Sequence, residues 1–263
     1  MPDAPATGLA APPAVPGSAA PDGALRSAVN RALAAPDTDA ATALGCAACQ
    51  GGADQPSLHT EVPLATQFLS RELIPAIVDA DADPALDPRW AESGARDRAE
   101  YGYWAPRTCG LACLQMALGH YGLPVPPLVT LARQALAAGC YEPRPDGGLD
   151  GLLYHPFVDF VAERFGLTAQ VETELDRPRL TSLVRDGALV IVSVHPAIRR
   201  PERAAPGRGG HLVLVTGLDG DGVHLRNPSG HDAAARAAVL AWHELEPFFA
   251  GRGVALWAPA ATG

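Results

Sequence analysis

The chain has 263 residues, 48% of them apolar, and a formal net charge of −9; its 20 basic residues are all Arg, so chemistry that needs a lysine nucleophile or base is excluded. The negative balance leaves no broad basic face to displace counterions, so no nucleic-acid partner is expected. Five cysteines, an odd number, make no disulfide framework, and no run approaches the roughly 18 apolar residues of a membrane span; a cytoplasmic protein with reduced thiols and no membrane insertion is expected.

Residues 1–55 are rich in Ala, Pro and Gly and poor in large apolar side chains. Such a segment cannot bury enough surface to offset its ordering entropy, and it reads as a disordered tail with room for a short helix at Ala24–Ala34. Cys46 and Cys49 form a lone CxxC inside it, and with no second pair no metal site is expected. Residues 56–99 read as an ordered or partly ordered extension. Leu64, Phe68, Leu69, Leu73 and Ile74 have near-helical spacing and should pack on the core, whereas Asp79–Ala99 is acidic and irregular. The main domain is expected at 100–263.

Within Tyr101–Gly122 a loop ends at Thr108-Cys109-Gly110 and runs directly into a helix, with Leu111, Leu114, Ala117 and Leu118 as its buried stripe and Gly122 as its stop. A second helix follows at Pro126–Ala138, then a surface loop over Gly139–Asp150, then a third helix opened by His155-Pro156 and closed by Gly166. Leu167–Glu172 reads as a strand, Pro178–Arg185 as a short helix, and Ala188–Val194 as a buried β-branched strand. After a polar loop at Ala197–Gly209, His211–Leu218 and Val223–Asn227 form a hairpin. A strand or irregular run, a helical turn at Trp242–Phe249 and a last strand at Val254–Trp257 complete the chain. Helices first and mainly antiparallel strands afterwards make an α+β fold.

Cys109 lies at a helix N-terminus, where open N–H groups and the macrodipole favour an anion, so its thiol pKa should be lowered. A thiol nucleophile needs an imidazole to take and return its proton, and a group to orient that imidazole. His211 opens a strand apolar on both faces, and Asn227 stands on the next strand. Asn227 shares a face with His211 only if Gly217 pairs with Val223 across an odd loop, or if a bulge shifts the register. His195 is the second choice of histidine, and Cys113, one turn after Cys109, reads as core.

These residues carry a resemblance. Thr108-Cys109-Gly110-Leu-Ala-Cys-Leu-Gln-Met, with Tyr121-Gly122 after it, resembles the nucleophile motif of the C39-like (papain-like) cysteine peptidases. Gly209-Gly210-His211-Leu-Val-Leu-Val-Thr-Gly217 is similar to the family's histidine strand. Asn227-Pro228 falls where the family has Asp-Pro or Asn-Pro, and Phe248-Phe249-Ala-Gly-Arg-Gly253 resembles its C-terminal segment. The resemblance covers about residues 100–258 and implies a stand-alone, papain-like member without a cofactor. It further implies Cys109 as nucleophile, His211 as base and acid, and Asn227 as the orienting group. Six residues before Cys109 the family commonly has an oxyanion-hole Gln; here Tyr103 stands there, and its O–H, with backbone N–H groups such as that of Gly110, would take that part.

The expected activity is hydrolysis of a peptide or protein amide bond through a Cys109 thioester. The same thioester would serve acyl transfer, transpeptidation or deamidation, and a silent member would bind a peptide in the same groove. Arg199, Arg200, Arg203 and Arg208, just before His211, are candidates to gate the cleft in favour of acidic substrates. Some family members cut leaders after a double glycine, and Gly51-Gly52 in the tail matches that pattern.

Overall fold

The computed structural model describes residues 57–260 except Gly147. The tail, with Ala24–Ala34, Cys46, Cys49 and Gly51-Gly52, lies outside the described residues. In chain order the elements are β1 (Ser57–Leu58), α1 (Ile74–Ala80), α2 (Arg98–Trp104), α3 (Cys109–His120), α4 (Leu128–Ala137) and α5 (Tyr154–Phe165). They continue with β2 (Thr168–Glu172), α6 (Arg177–Arg185), β3 (Leu189–Val194), β4 (His211–Asp219) and β5 (Gly222–Arg226). The last are α7 (Ala233–Arg236), β6 (Val239–Ala241), α8 (Trp242–Leu245) and β7 (Phe249–Trp257).

The strands form one sheet in the order β2-β7-β3-β4-β5-β6, with β1 beside the far end of β4, and every pairing is antiparallel. The fold is α+β, as the run of elements indicates. β3 and β4 read as unbroken apolar runs because both faces of the sheet are covered. Leu189, Ile191, Leu212 and Leu214 meet α3, α4 and α5 on one face. Val190, Val192, Val213 and Val215 pack with Leu180, Leu183 and Phe248 on the other.

α3 is buried nearly all round, from Gly110 through Leu118, and is the central pillar of the helical layer. Burying Leu111, Leu114 and Leu118 contributes about 1.5–3 kcal/mol each, before the ordering cost. It ends where Gly122 turns left-handed at φ 68° and Leu123 N–H reaches Leu118 O at 2.9 Å. Val62, Phe68 and Ile74, upstream, belong to the same core as α3.

Three local expectations are corrected. The stretch leading to Cys109 is not a loop: α2 and a 3₁₀ turn at Ala105–Arg107 occupy it. Asp97 is extended and its Oδ1 accepts the Glu100 N–H at 2.8 Å, an N-cap that starts the helix early. Residues 63–70 are irregular and the helix begins only at Ile74, with Pro75 in its first turn, where a missing N–H costs nothing. The last strand begins at Phe249, five residues before Val254; Gly251 at φ 65° and a register shift between Val192 and Val194 absorb the irregular Gly-Arg-Gly stretch.

Candidate active site

Cys109 is the first residue of α3. The first ladder bond runs from Ala112 N–H to Thr108 O at 2.8 Å, so the N–H groups of Cys109, Gly110 and Leu111 have no acceptor within the helix. Gly110 lets two leucines close on the start of α3: a Cβ there would lie 2.7 Å from both Leu152 Cδ2 and Leu212 Cδ1, and their side chains would have to shift. Cys109, Gly110, His211 and Leu212 line one cleft of about 560 Å³ between the start of α3 and the start of β4. The thiol is not acidified as expected. Burial pushes its pKa up, and the N–H groups of Leu212, Gly110 and Cys109 and the charge of Arg199 only partly oppose that.

His211 and Asn227 are brought together by a bulge. The hairpin turn is the two-residue Gly220-Asp221, and Leu218 pairs with Val223, the even register that by itself would split the two residues. The register slips by one at Thr216, between the pairs Val215–Leu225 and Gly217–His224. Leu214 then faces Arg226, so the next residue, Asn227, falls opposite Val213, on the face His211 also uses.

The result is a buried hydrogen-bond cluster. Asn227 Oδ1 lies 2.9 Å from His211 Nε2 and accepts the Ser229 backbone N–H at 3.0 Å. A backbone N–H can only donate, so the side-chain atom facing the ring is an oxygen and Nε2 carries the proton. Nδ1 is left as the basic nitrogen. Ser229, fully buried, adds its Oγ at 3.1 Å from Nε2, and Arg199 Nε donates to both Ser229 Oγ at 2.9 Å and Ser229 O at 3.0 Å. Burial, and then the charge of Arg199, lower the His211 pKa to about 3 against the opposing bond to Asn227. The imidazole is held neutral.

Other expected site residues fall elsewhere. Tyr103 does not line the cleft; the Arg107 guanidinium covers its ring at 4.4 Å and donates to its carbonyl. The four loop arginines do not line the cleft either. Arg199 is turned inward to Ser229, Arg200 bonds Asp79 at 2.6 Å and His231 at 3.0 Å, Arg203 meets Glu202, and Arg208 is exposed. The chain turns through a 3₁₀ helix at Pro196–Arg199, and this sets their directions. His195 caps that turn by accepting the Ala197 N–H on Nδ1. Cys113 is buried, with its Sγ 3.7 Å from Leu212 O.

Sequence reasoning missed Ser229, Arg107, Arg252, Tyr154 and Gln67. Arg107, Arg252 and Tyr154 lie on the cleft wall, and Gln67 ties two site loops together from behind: its N–H donates to Pro228 O at 2.9 Å and its Nε2 to Ala105 O at 3.0 Å. Only Ser229 carried a signal, in Asn-Pro-Ser-Gly, where it reads as a turn residue. Among the described residues no group of three or more His, Cys, Asp or Glu could hold a metal ion, and no helix is long and apolar enough to cross a membrane.

No family model matches the chain, and no curated protein matches it. Solved structures do. The peptidase domain of ComA from Streptococcus, a bifunctional ABC transporter involved in a quorum-sensing pathway, is 17% identical, with 59% of this chain and 93% of that one covered at a TM-score of 0.41. A protein from Bacillus anthracis assigned as a C39-like peptidase is 16% identical, with 79% of this chain and all of that one covered at a TM-score of 0.49. Both are similarities of structure alone.

Proposed function

We propose that this protein is a cysteine hydrolase that cleaves a peptide or other amide bond through a Cys109 thioester. The observation that carries the reading is the buried His211–Asn227 pair, with Nε2 protonated and Nδ1 basic, in the cleft that also holds Cys109. Burial pushes the thiol up and the ring down, so the resting pair is a neutral thiol and a neutral imidazole. Sγ attacks the carbonyl carbon as His211 Nδ1 takes the thiol proton. The carbonyl oxygen gains the negative charge next to the open N–H groups at the start of α3. The C–N bond then breaks, His211 returns the proton to the leaving amine, and water, deprotonated by the same nitrogen, hydrolyses the thioester. Cys109, Cys113 and Cys140 are all free thiols, which suits a reducing, cytoplasmic setting.

The test is alkylation by iodoacetamide with the modified residue mapped by mass spectrometry, run on wild type, Cys109→Ala and His211→Ala beside a peptide-cleavage assay. Preferential labelling of Cys109, slowed roughly 10²-fold or more by loss of His211, is expected, with cleavage abolished in both variants. Labelling of Cys109 no faster than that of the other four cysteines would refute the reading.

A further inference from the structure

The cleft has the opposite charge character to the protein around it. The chain carries −9, yet the cationic side chains lining the cleft are Arg107 and Arg252, and neither has a carboxylate partner among the described residues. Asp150, the acidic side chain on the wall, is already paired with Arg144 at 3.7 Å. Arg107 is half-buried and Arg252 exposed, and guanidinium groups without a carboxylate partner on a concave wall attract a carboxylate and repel a cation.

Arg252 is also part of a built cluster. It stands on β7, Ser193 on the neighbouring β3 and Tyr154 at the start of α5, and all three line the cleft. Ser193 is buried, and it shares the cleft wall with Arg252, Tyr154 and Cys109; burial raises the Tyr154 pKa, and the hydroxyl of Ser193 and the guanidinium of Arg252 oppose that rise. Gly209 passes over them at φ 79°, where a Cβ would lie 3.3 Å from Ser193 Oγ and 3.6 Å from Arg252 Nη2. Two hydroxyls and a planar five-donor cation therefore converge beside the nucleophile.

We propose that Arg252, Tyr154 and Ser193 form a carboxylate-binding subsite next to Cys109, and that the substrate is a peptide with an acidic side chain or a free C-terminal carboxylate near the bond cleaved. Arg107, on the α2 side of the cleft, adds a second positive charge to the same field. The inference rests on the proposed thiol site.

The experiment is protection of Cys109 from iodoacetamide by short acetylated peptides. One series is amidated at its C-terminus and carries Glu or Gln at successive positions; a second has neutral side chains with a free or an amidated C-terminus. A carboxylate peptide that protects at a concentration roughly tenfold lower than its neutral twin is expected, and the series in which this appears identifies an acidic side chain or a chain terminus as the group read. Arg252→Gln should abolish the preference, Tyr154→Phe should weaken it, and Arg252→Glu should transfer it to Lys-containing peptides. Equal protection by charged and neutral twins in both series, or a preference that survives Arg252→Gln, would overturn the subsite. Failure of iodoacetamide to label Cys109 preferentially at all would instead strike the thiol site itself.

Discussion

Asn227 reaches His211 only because β4 contains one residue more than its partner strand, and that residue is Thr216. The amide oxygen then accepts from His211 Nε2 and from Ser229 N–H together, which fixes the ring's tautomer. Asn227→Ala removes that constraint and should slow Cys109 alkylation and cleavage by ~10²-fold while leaving the fold intact. Asn227→Asp places a negative charge on Nε2–H, favours the imidazolium and should move the acid limb of the pH–rate profile upward. An unchanged acid limb in Asn227→Asp would show that His211 is not the titrating base.

His211 also ties stability to pH. Its folded pKa, about 3, lies below the ordinary 6.5, so between those values the unfolded chain binds a proton that the folded one does not. The contribution is complete above pH 6.5 and is lost progressively as pH falls towards 3. Denaturant unfolding at a series of pH values should show stability falling through this window. His211→Gln, which has no ring to protonate, should have a shallower slope there than wild type.

Arg199 tunes the pair from behind. Its charge disfavours the imidazolium of His211 and favours the thiolate of Cys109. Arg199→Gln should therefore raise both pKa values, visible as an upward shift of the His211 imidazole titration by NMR and of the basic limb of alkylation. Arg199→Lys keeps the charge but loses the paired bonds to Ser229 O and Oγ, so it should restore the titration more fully than the rate.

Gln67 offers a test of the buried polar accounting. Its Nε2 bonds Ala105 O, which also accepts from Thr108 Oγ1 at 3.1 Å, while its own Oε1 is buried without a partner. Gln67→Leu removes one bond and one orphaned acceptor together and should change unfolding free energy by less than about 1 kcal/mol. Gln67→Glu, which buries a charge against the Ala105 carbonyl, should cost roughly 3 kcal/mol at neutral pH. Urea denaturation of the two variants separates these outcomes.

Asp87 organises the segment before the domain core. Its buried carboxylate accepts from Ser70 N–H at 2.9 Å, Ser70 Oγ at 2.6 Å, Arg89 N–H at 2.9 Å and Tyr101 Oη at 2.8 Å. Asp87→Ala leaves all four donors short of an acceptor and should destabilise by about 3 kcal/mol, read as a lowered denaturation midpoint at unchanged slope.

Much of the local architecture was legible in the residues themselves. The apolar period of α3, the left-handed glycines that end α3 and α5, and the doubly apolar runs of β3 and β4 are short-range patterns, and each dictates its element directly. The pairing of His211 with Asn227 was conditional in the sequence, because hairpin loops of either parity are allowed by Asp219-Gly220-Asp221-Gly222. Tertiary structure decided it: Thr216 is displaced from the ladder where β1 joins β4, and its carbonyl accepts the His59 N–H at 2.9 Å. The direction of the arginines was likewise undecidable from order along the chain. Arg199 turns inward and Arg252 faces the cleft because a 3₁₀ turn and a sheet register set side-chain direction, and neither is encoded by charge. The thiol's pKa followed the same rule: a helix N-terminus is a local feature that favours the anion, but burial is a property of the whole fold, and at Cys109 burial is the larger effect.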